Sequence, residues 1–415
     1  MARLKGFQKL TAVDDAVRIF FSKLQAKPPR PIVVQLHSAL DRVLAEDIVA
    51  GQDLPGFDRS AVDGYAVKAE DVVDASQFKP RTLRITNENL ITHKQTRQLW
   101  TGNPIPKGAN AVVMLENTRR TEDKIEVWTS ATLGENISKR GEDLSKGEIA
   151  VRAGTRLKPH HLGLAAALGK VRVKVVEKPK VAILATGNEL AEVGAKLREH
   201  QVFDVNRLVL SALCYEMGAE PLDLGIAKDY ADEISEKLEF GLERADAVIT
   251  SGGTSVGGAD LVPEAVNNIG KPGIVVHGVG MKPGMPTALA VAKEKPIVIL
   301  PGNPVAAIIG FEVFCRPLIC RMLGLKSEPR PTVQAKMNRR IATTLGRKNF
   351  VRVYVFKRNG ELFAEPISAR GSSIISTMTR ANGYVVVPEN REGLEEGEQI
   401  SVQLFDKVEV ADENV

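Results

Sequence analysis

Residues 247–260, Ala-Val-Ile-Thr-Ser-Gly-Gly-Thr-Ser-Val-Gly-Gly-Ala-Asp, run an apolar stretch straight into a turn rich in glycine and hydroxyl groups that ends on a carboxylate. The glycines, Gly252 and Gly253 first among them, free the backbone to aim successive N–H groups at one point. Ser251, Thr254 and Ser255 add hydroxyl donors, and Asp260 can hold a cation. That combination suits a phosphorylated anion. A bare Ser-Gly-Gly is also what an ordinary tight turn needs, so a second turn of the same kind carries weight. Residues 296–305, Pro-Ile-Val-Ile-Leu-Pro-Gly-Asn-Pro-Val, supply it. Here a buried strand is followed by Pro301, an N-cap at Asn303 and Pro304 at the first helical position. A helix over about 304–323 would turn its free N–H groups toward the strand's end.

Other polar residues fall at strand ends or sharp turns, where a side chain meets a ligand more readily than it fills a core. Asp63 lies in Pro-Gly-Phe-Asp-Arg-Ser-Ala-Val-Asp-Gly-Tyr-Ala-Val (55–67), and Thr101 opens Thr-Gly-Asn-Pro-Ile-Pro-Lys-Gly-Ala. Asp143 sits between glycines in Arg-Gly-Glu-Asp-Leu-Ser-Lys-Gly, Glu189 follows an apolar run in Thr-Gly-Asn-Glu-Leu, and Lys282 opens Lys-Pro-Gly-Met-Pro. Taken singly, each acidic residue reads as a turn former or a solvated charge. Together they read as a constellation.

The elements that must position them fall into four stretches. Helical apolar spacing over 11–26 and 36–46, returning near 160–169, predicts a discontinuous helical N-terminal domain over 1–49 and 148–178. Short strands such as 83–86, 111–115 and 124–128 predict an inserted β-rich domain over 50–147. Residues 179–329 alternate near-continuous apolar strands (181–185, 221–226, 247–250) with helices (204–217, 230–243). That pattern predicts a doubly wound α/β domain, whose ligands bind beyond the carboxyl ends of its strands. Both glycine-bearing turns sit at such ends. Alternation in Phe-Val-Arg-Val-Tyr-Val-Phe (350–356) predicts a small β-barrel-like domain over 330–415.

With 415 residues the chain is too long for one ordinary core, and 56 basic against 51 acidic residues leave a charge of +5. This mild imbalance permits an anionic ligand and gives no indication of nucleic acid. No apolar run approaches a membrane span, so a cytoplasmic protein is expected. Cys214, Cys315 and Cys320 lie in apolar helical patterns without metal-ligand spacing and read as core residues.

Ser-Ala-Val-Asp-Gly-Tyr-Ala-Val, Thr-Gly-Asn-Pro-Ile-Pro-Lys-Gly-Ala, Gly-Glu-Asp, Ser-Gly-Gly-Thr-Ser-Val-Gly and Leu-Pro-Gly-Asn-Pro-Val, in this order, resemble the molybdopterin molybdenumtransferase (MoeA) family, related to the gephyrin E domain. The resemblance covers nearly the whole chain. It implies a homodimer of four-domain subunits whose active-site cleft joins the α/β domain of one subunit to the β-rich domain of the other. It also implies insertion of molybdate or tungstate into adenylylated molybdopterin with release of AMP, aided by Mg²⁺, and it makes the molybdopterin adenylyltransferase a candidate partner. The family's functional positions fall on Asp63, Thr101, Asp143, Glu189, Asp229, Asp260, Lys282, Pro301, Pro304, Arg352 and Ser372 of this chain.

The chemistry fits those side chains. Molybdate is a tetrahedral dianion, served by the cations Lys282 and Arg352 and the hydroxyl of Ser372. The pterin's phosphates call for the N–H groups of the 251–258 turn and a metal held by Glu189, Asp229 and Asp260. The chain departs from the family at Met285, where a second lysine is frequent, and at Asn110 and Asn188, where acids are frequent. Two other readings stand beside this one. A molybdopterin adenylyltransferase shares the Ser-Gly-Gly-Thr turn but lacks the extra domains and Asp63. A non-catalytic scaffold would have no need of Asp63, Glu189, Asp229 and Asp260 together.

Overall fold

The computed structural model describes residues 10–25, 27–253, 261–367 and 373–410. The chain forms two compact units, Ile32–Val175 and a second built from Met1–Pro31 with Val176–Val415.

In the Ile32–Val175 unit, a six-stranded sheet runs in the order Ala111–Met114, Gly64–Val67, Gln95–Leu99, Arg81–Ile85, Lys124–Val127, Thr118–Thr121. Period-two alternation in Lys124–Val127 buries Ile125 and Val127 against Leu83, Tyr65 and Val113. A second core gathers Ala39, Leu44, Ile48, Leu157 and Val173 beside the short helix Pro159–Ala167. The helix expected over 36–46 does not form. Only Leu36–Ser38 makes a single 3₁₀ turn, and Asp41 then takes φ 59°. The backbone N–H groups of Asp41 and Leu44 donate to the carbonyls of Leu157 and Thr155, and that of Ala45 to Lys174. The spacing of Ala39, Val43 and Leu44 reflects burial by the end of a 3₁₀ turn and by β-bridged chain, which a helical period imitates over so few residues.

In the second unit, six strands order as Glu220–Ala227, Lys180–Thr186, Ala247–Ser251, Lys295–Leu300, Ala288–Ala292, Gly273–His277. The first four are parallel, Ala288–Ala292 is antiparallel to Lys295–Leu300, and Gly273–His277 is antiparallel to Ala288–Ala292. Every residue from Val181 to Thr186 is buried, because helices cover both faces. On one face Ala182, Leu184, Val248 and Ile299 pack on Ile234, Leu238 and Leu242 of the Ala231–Arg244 helix and on Val262 and Val266 of Leu261–Ile269. The Asn206–Glu216 helix packs on the first two strands from the other side. The Val13–Lys23 helix also packs on this sheet, burying Val13, Ala16 and Phe20.

The helix expected over about 304–323 is a continuous rod in three parts: Pro304–Gly310, a π-helical turn at Phe311–Cys315, and Arg316–Met322. Pro317 has no N–H and crowds the preceding turn, and the wider π geometry just before it accommodates the ring.

C-terminal to it, Lys348–Arg358, Glu361–Pro366, Thr332–Met337, Gln399–Leu404 and Gly383–Val387 follow one another edge to edge. The last pairs back to the first, closing a five-strand barrel around Ala335, Val353, Val355, Ala364 and Val402. The short Met281–Lys282 strand pairs with this barrel at Lys348 and Asn349, so Lys282 is held at the barrel's margin.

Candidate active site

In the parallel part of the sheet, the two strands that diverge in chain order are Lys180–Thr186 and Ala247–Ser251. A ligand crevice belongs beyond the carboxyl ends of such a pair. A cavity of about 870 Å³ lies there, lined by Thr186, Gly187 and Glu189 from the first end and Ser251, Gly252 and Gly253 from the second. Asp229 from the neighbouring strand's end, Asn206, and the Pro301–Gly302–Asn303–Pro304 turn complete its wall.

The turns are shaped by glycine for stated reasons. A Cβ on Gly252, at φ 95°, would lie 2.4 Å from the Thr186 carbonyl oxygen. One on Gly253 would meet the side chain of Val262 at 2.3 Å. Only glycine allows this approach. Ser251 is buried, its hydroxyl directed to the Pro301 carbonyl at 3.4 Å and accepting a hydrogen bond from Asn206 Nδ2 at 2.7 Å. It therefore joins the two turns as well as lining the cavity. Asn303 occupies the expected N-cap position with extended dihedrals, but its side chain makes no capping bond to the helix. Pro304 is the first helical residue.

Glu189 and Asp229 both line the cavity. Asp229 Oδ2 accepts the Asn188 N–H at 3.1 Å, and Asn188 Oδ1 accepts the Asp229 N–H at 3.2 Å, a reciprocal clasp that fixes the loop pair. A Cβ on Gly187 would lie 2.7 Å from both Glu189 carboxylate oxygens, so that carboxylate is folded back over its own turn. Neither acid has an ion-pair partner among the described residues. Two carboxylates fit the modest protein share of a Mg²⁺ shell, which is otherwise made of water and substrate oxygens. No cluster of three or more metal-ligating side chains occurs among the described residues. Thr254, Ser255 and Asp260, expected to complete the cradle, and Ser372 lie outside the described residues.

A second cavity, of about 430 Å³, shares Pro286, Pro301 and Asn303 with the first. Its wall carries Lys282, Met285, Arg347 and Arg352, and no aspartate or glutamate is among its described lining residues. Lys282 Nζ donates to Thr344 Oγ1 at 2.8 Å. Arg352 is only 6% exposed, and its Nε has no hydrogen-bond partner among the described residues. Burial pushes its guanidinium below the ordinary arginine value, yet arginine stays charged. A buried N–H of a cation left without an acceptor is costly, and an oxyanion in the cavity would relieve it.

In the other unit, the structure joins two expected residues directly. Asp63 Oδ1 accepts the Thr101 backbone N–H at 2.6 Å and its hydroxyl at 2.7 Å. The backbone bond first, then the hydroxyl bond, hold the Asp63 carboxyl below its ordinary value. Asp143 is exposed, and no hydrogen bond or ion pair among the described residues ties its side chain to that pair. Asn110, at a departure from the family pattern, accepts the Ala69 N–H through Oδ1 at 2.7 Å and donates to Glu70 at 3.2 Å, a structural link.

Two residues that the sequence reading passed over stand out. Asn206 Nδ2 donates to Ser251 Oγ and to the Gly302 carbonyl, each at 2.7 Å, and so clamps one turn to the other. Asp204 Oδ1 accepts the N–H groups of Asn206 and Arg207 and starts their helix. The signal was the Asp-Val-Asn triplet just before a helical run. Arg347 was the other, hidden in a turn between strands. The three cysteines are buried, as expected, and burial lifts the Cys214 thiol to about 12, so it stays protonated.

The described residues thus form an α/β crevice lined by Glu189 and Asp229, beside a chamber lined by Lys282, Arg347 and Arg352. Comparison with known proteins makes the class specific. Residues 11–169 match the model "MoeA N-terminal region (domain I and II)", residues 182–321 the "Probable molybdopterin binding domain", and residues 334–405 the "MoeA C-terminal region (domain IV)". A molybdopterin molybdenumtransferase of Bacillus subtilis is 34% identical over 384 residues, covering 90% of this chain and 89% of that protein. One of Haemophilus influenzae is 32% identical over 391 residues, covering 91% and 95%. The crystal structure of a molybdopterin biosynthesis MoeA protein from Pyrococcus horikoshii OT3 superposes with a TM-score of 0.82 at 33% identity, covering 96% of this chain and all of that one. The chain belongs to the MoeA family of molybdopterin molybdenumtransferases and is an enzyme of molybdenum cofactor biosynthesis. No helix among the described residues is long and apolar enough to cross a membrane.

Proposed function

We propose that this enzyme inserts molybdate, or tungstate, into adenylylated molybdopterin and releases AMP. The observation that carries the reading is the pair of adjoining cavities: carboxylates and glycine-rich turns line one, and cations, with no acid among the described residues, line the other. The larger, at about 870 Å³, has room for a pterin nucleotide. Its backbone turns and the Asn206 clamp would orient the phosphates. Lys282 and Arg352 would hold the tetrahedral anion beside the dithiolene, drawn by charge-assisted hydrogen bonds. When bound, a Mg²⁺ ion held by Glu189 and Asp229, with Asp260 as the third expected ligand, would neutralise charge developing on the phosphate.

The roles of Ser251, Gly252, Gly253, Pro301, Asn303 and Pro304 as pterin-side contacts belong to this reading. So do Thr254, Ser255, Ser372 and the Asp63, Thr101 and Asp143 set. We extend it to a cytoplasmic homodimer that receives its adenylylated pterin from an adenylyltransferase. The smaller cation-lined chamber beside the pterin crevice favours insertion over adenylyl transfer, since insertion needs a separate place for a small tetrahedral anion. The test is to supply adenylylated molybdopterin and molybdate with Mg²⁺. AMP release that depends on molybdate supports the reading. Adenylylation of free molybdopterin with ATP, without such release, would replace it.

A further inference from the structure

The second cavity presents three cations where the family resemblance assigns two. Arg347 lines it together with Lys282 and Arg352. It is half-buried and has no ion-pair partner among the described residues. Its position is fixed by a built turn. Asn349, only 3% exposed, donates through Nδ2 to the Thr344 carbonyl at 2.8 Å and the Arg347 carbonyl at 2.6 Å, while its Oδ1 accepts the Thr344 N–H at 3.3 Å. The same Thr344 takes the Lys282 ammonium on its hydroxyl. One buried asparagine thus holds Arg347 and the partner of Lys282 in a single frame, against the barrel strand that carries Arg352.

Three like charges around about 430 Å³ repel one another, and one of them, Arg352, is already deprived of water. The cavity is relieved most by a ligand of high charge, because the attraction of each cation scales with the ligand's own charge. Met285, also in the wall, adds volume without charge. We propose that Arg347 is a specificity-determining residue of the anion cavity, making it prefer a doubly charged tetrahedral oxyanion over a singly charged one of the same size. This rests on the functional reading above and deepens it.

Tungstate and perrhenate are tetrahedral oxyanions of similar size that differ by one unit of charge, so their ratio isolates the effect. Calorimetric titration of the full-length protein with each anion, for wild type, Arg347→Gln and Arg347→Lys, is the experiment. Arg347→Gln is expected to weaken tungstate about tenfold or more and perrhenate by about the square root of that factor, narrowing the ratio. Arg347→Lys keeps the charge and should hold the ratio within about threefold. Equal weakening of both anions in Arg347→Gln, or no weakening, overturns the proposal. Should Arg347→Gln fail to fold, Arg347→Met removes the same charge and is read in the same way, a narrowed ratio supporting the proposal and an unmoved one overturning it. If wild type binds neither anion, the oxyanion reading of the cavity falls. If wild type binds tungstate and the ratio is unmoved, only the role of Arg347 falls.

Discussion

Replacing Asn206 by alanine should loosen both turns of the pterin cavity at once. Asn206 is only 7% exposed, and its side chain gives two 2.7 Å hydrogen bonds, to Ser251 Oγ and to the Gly302 carbonyl. Each bond has a net worth of about 1 kcal/mol, and a buried carbonyl left without its donor adds about 1 kcal/mol or more. The local loss is therefore about 2 to 4 kcal/mol, borne by the contact between the 251–253 and 301–304 turns. Since every 1.4 kcal/mol is a factor of ten, opening of these turns should become about 30- to 1,000-fold more frequent. Hydrogen–deuterium exchange read by mass spectrometry on peptides covering 247–253 and 300–304 measures this directly. Gly252 is the informative amide, since its N–H bonds to the Leu300 carbonyl at 3.0 Å. The strand pairing of Lys180–Thr186 should exchange as in wild type. Unchanged exchange at Gly252, with the variant folded, would refute the clamp.

Gly252→Ala should lower soluble yield and melting temperature sharply, since its Cβ would sit 2.4 Å from a backbone oxygen, whereas Gly302→Ala meets nothing nearer than 3.7 Å and should be tolerated. Thr101→Val removes one of the two donors that hold the Asp63 carboxyl down and leaves the backbone N–H. Carboxyl-detected NMR should show the Asp63 midpoint below its ordinary value in wild type and raised toward it in the variant. The sign follows: a depressed carboxylate adds stability above its ordinary midpoint and loses it as pH falls through the folded one, so the Asp63–Thr101 contact should weaken only in acid. Met285→Lys places a fourth cation in the smaller cavity and should tighten molybdate about tenfold by titration calorimetry, a charge-assisted contact being worth about 1.5 to 3 kcal/mol.

Much of this was legible in the chain because its determinants are local. The near-continuous apolar run at 181–185 called for a sheet covered on both faces, and that strand is buried along the run. Gly252 and Gly253 signal a freed backbone, and a Cβ at either would indeed collide with its neighbours. The 36–46 stretch misled because Ala39, Val43 and Leu44 satisfy a helical period while the backbone partners of Asp41, Leu44 and Ala45, namely Leu157, Thr155 and Lys174, lie more than a hundred residues away. Asn206 and Arg347 were missed for a related reason. The importance of Asn206 comes from holding Ser251 and Gly302, which are 45 and 96 residues distant, and that of Arg347 from a cavity assembled out of separate segments. Pairing across such distances leaves no periodic trace. The Asp63–Thr101 contact was anticipated only as two separate turn residues.

Anomalous diffraction from crystals soaked in tungstate with adenylylated molybdopterin tests the central claim most directly. The account predicts one strong tungsten peak in the smaller cavity, among Lys282, Arg347 and Arg352, with the pterin in the adjoining crevice beside Glu189 and Asp229. A pterin ordered in that crevice with tungsten bound only elsewhere would contradict it.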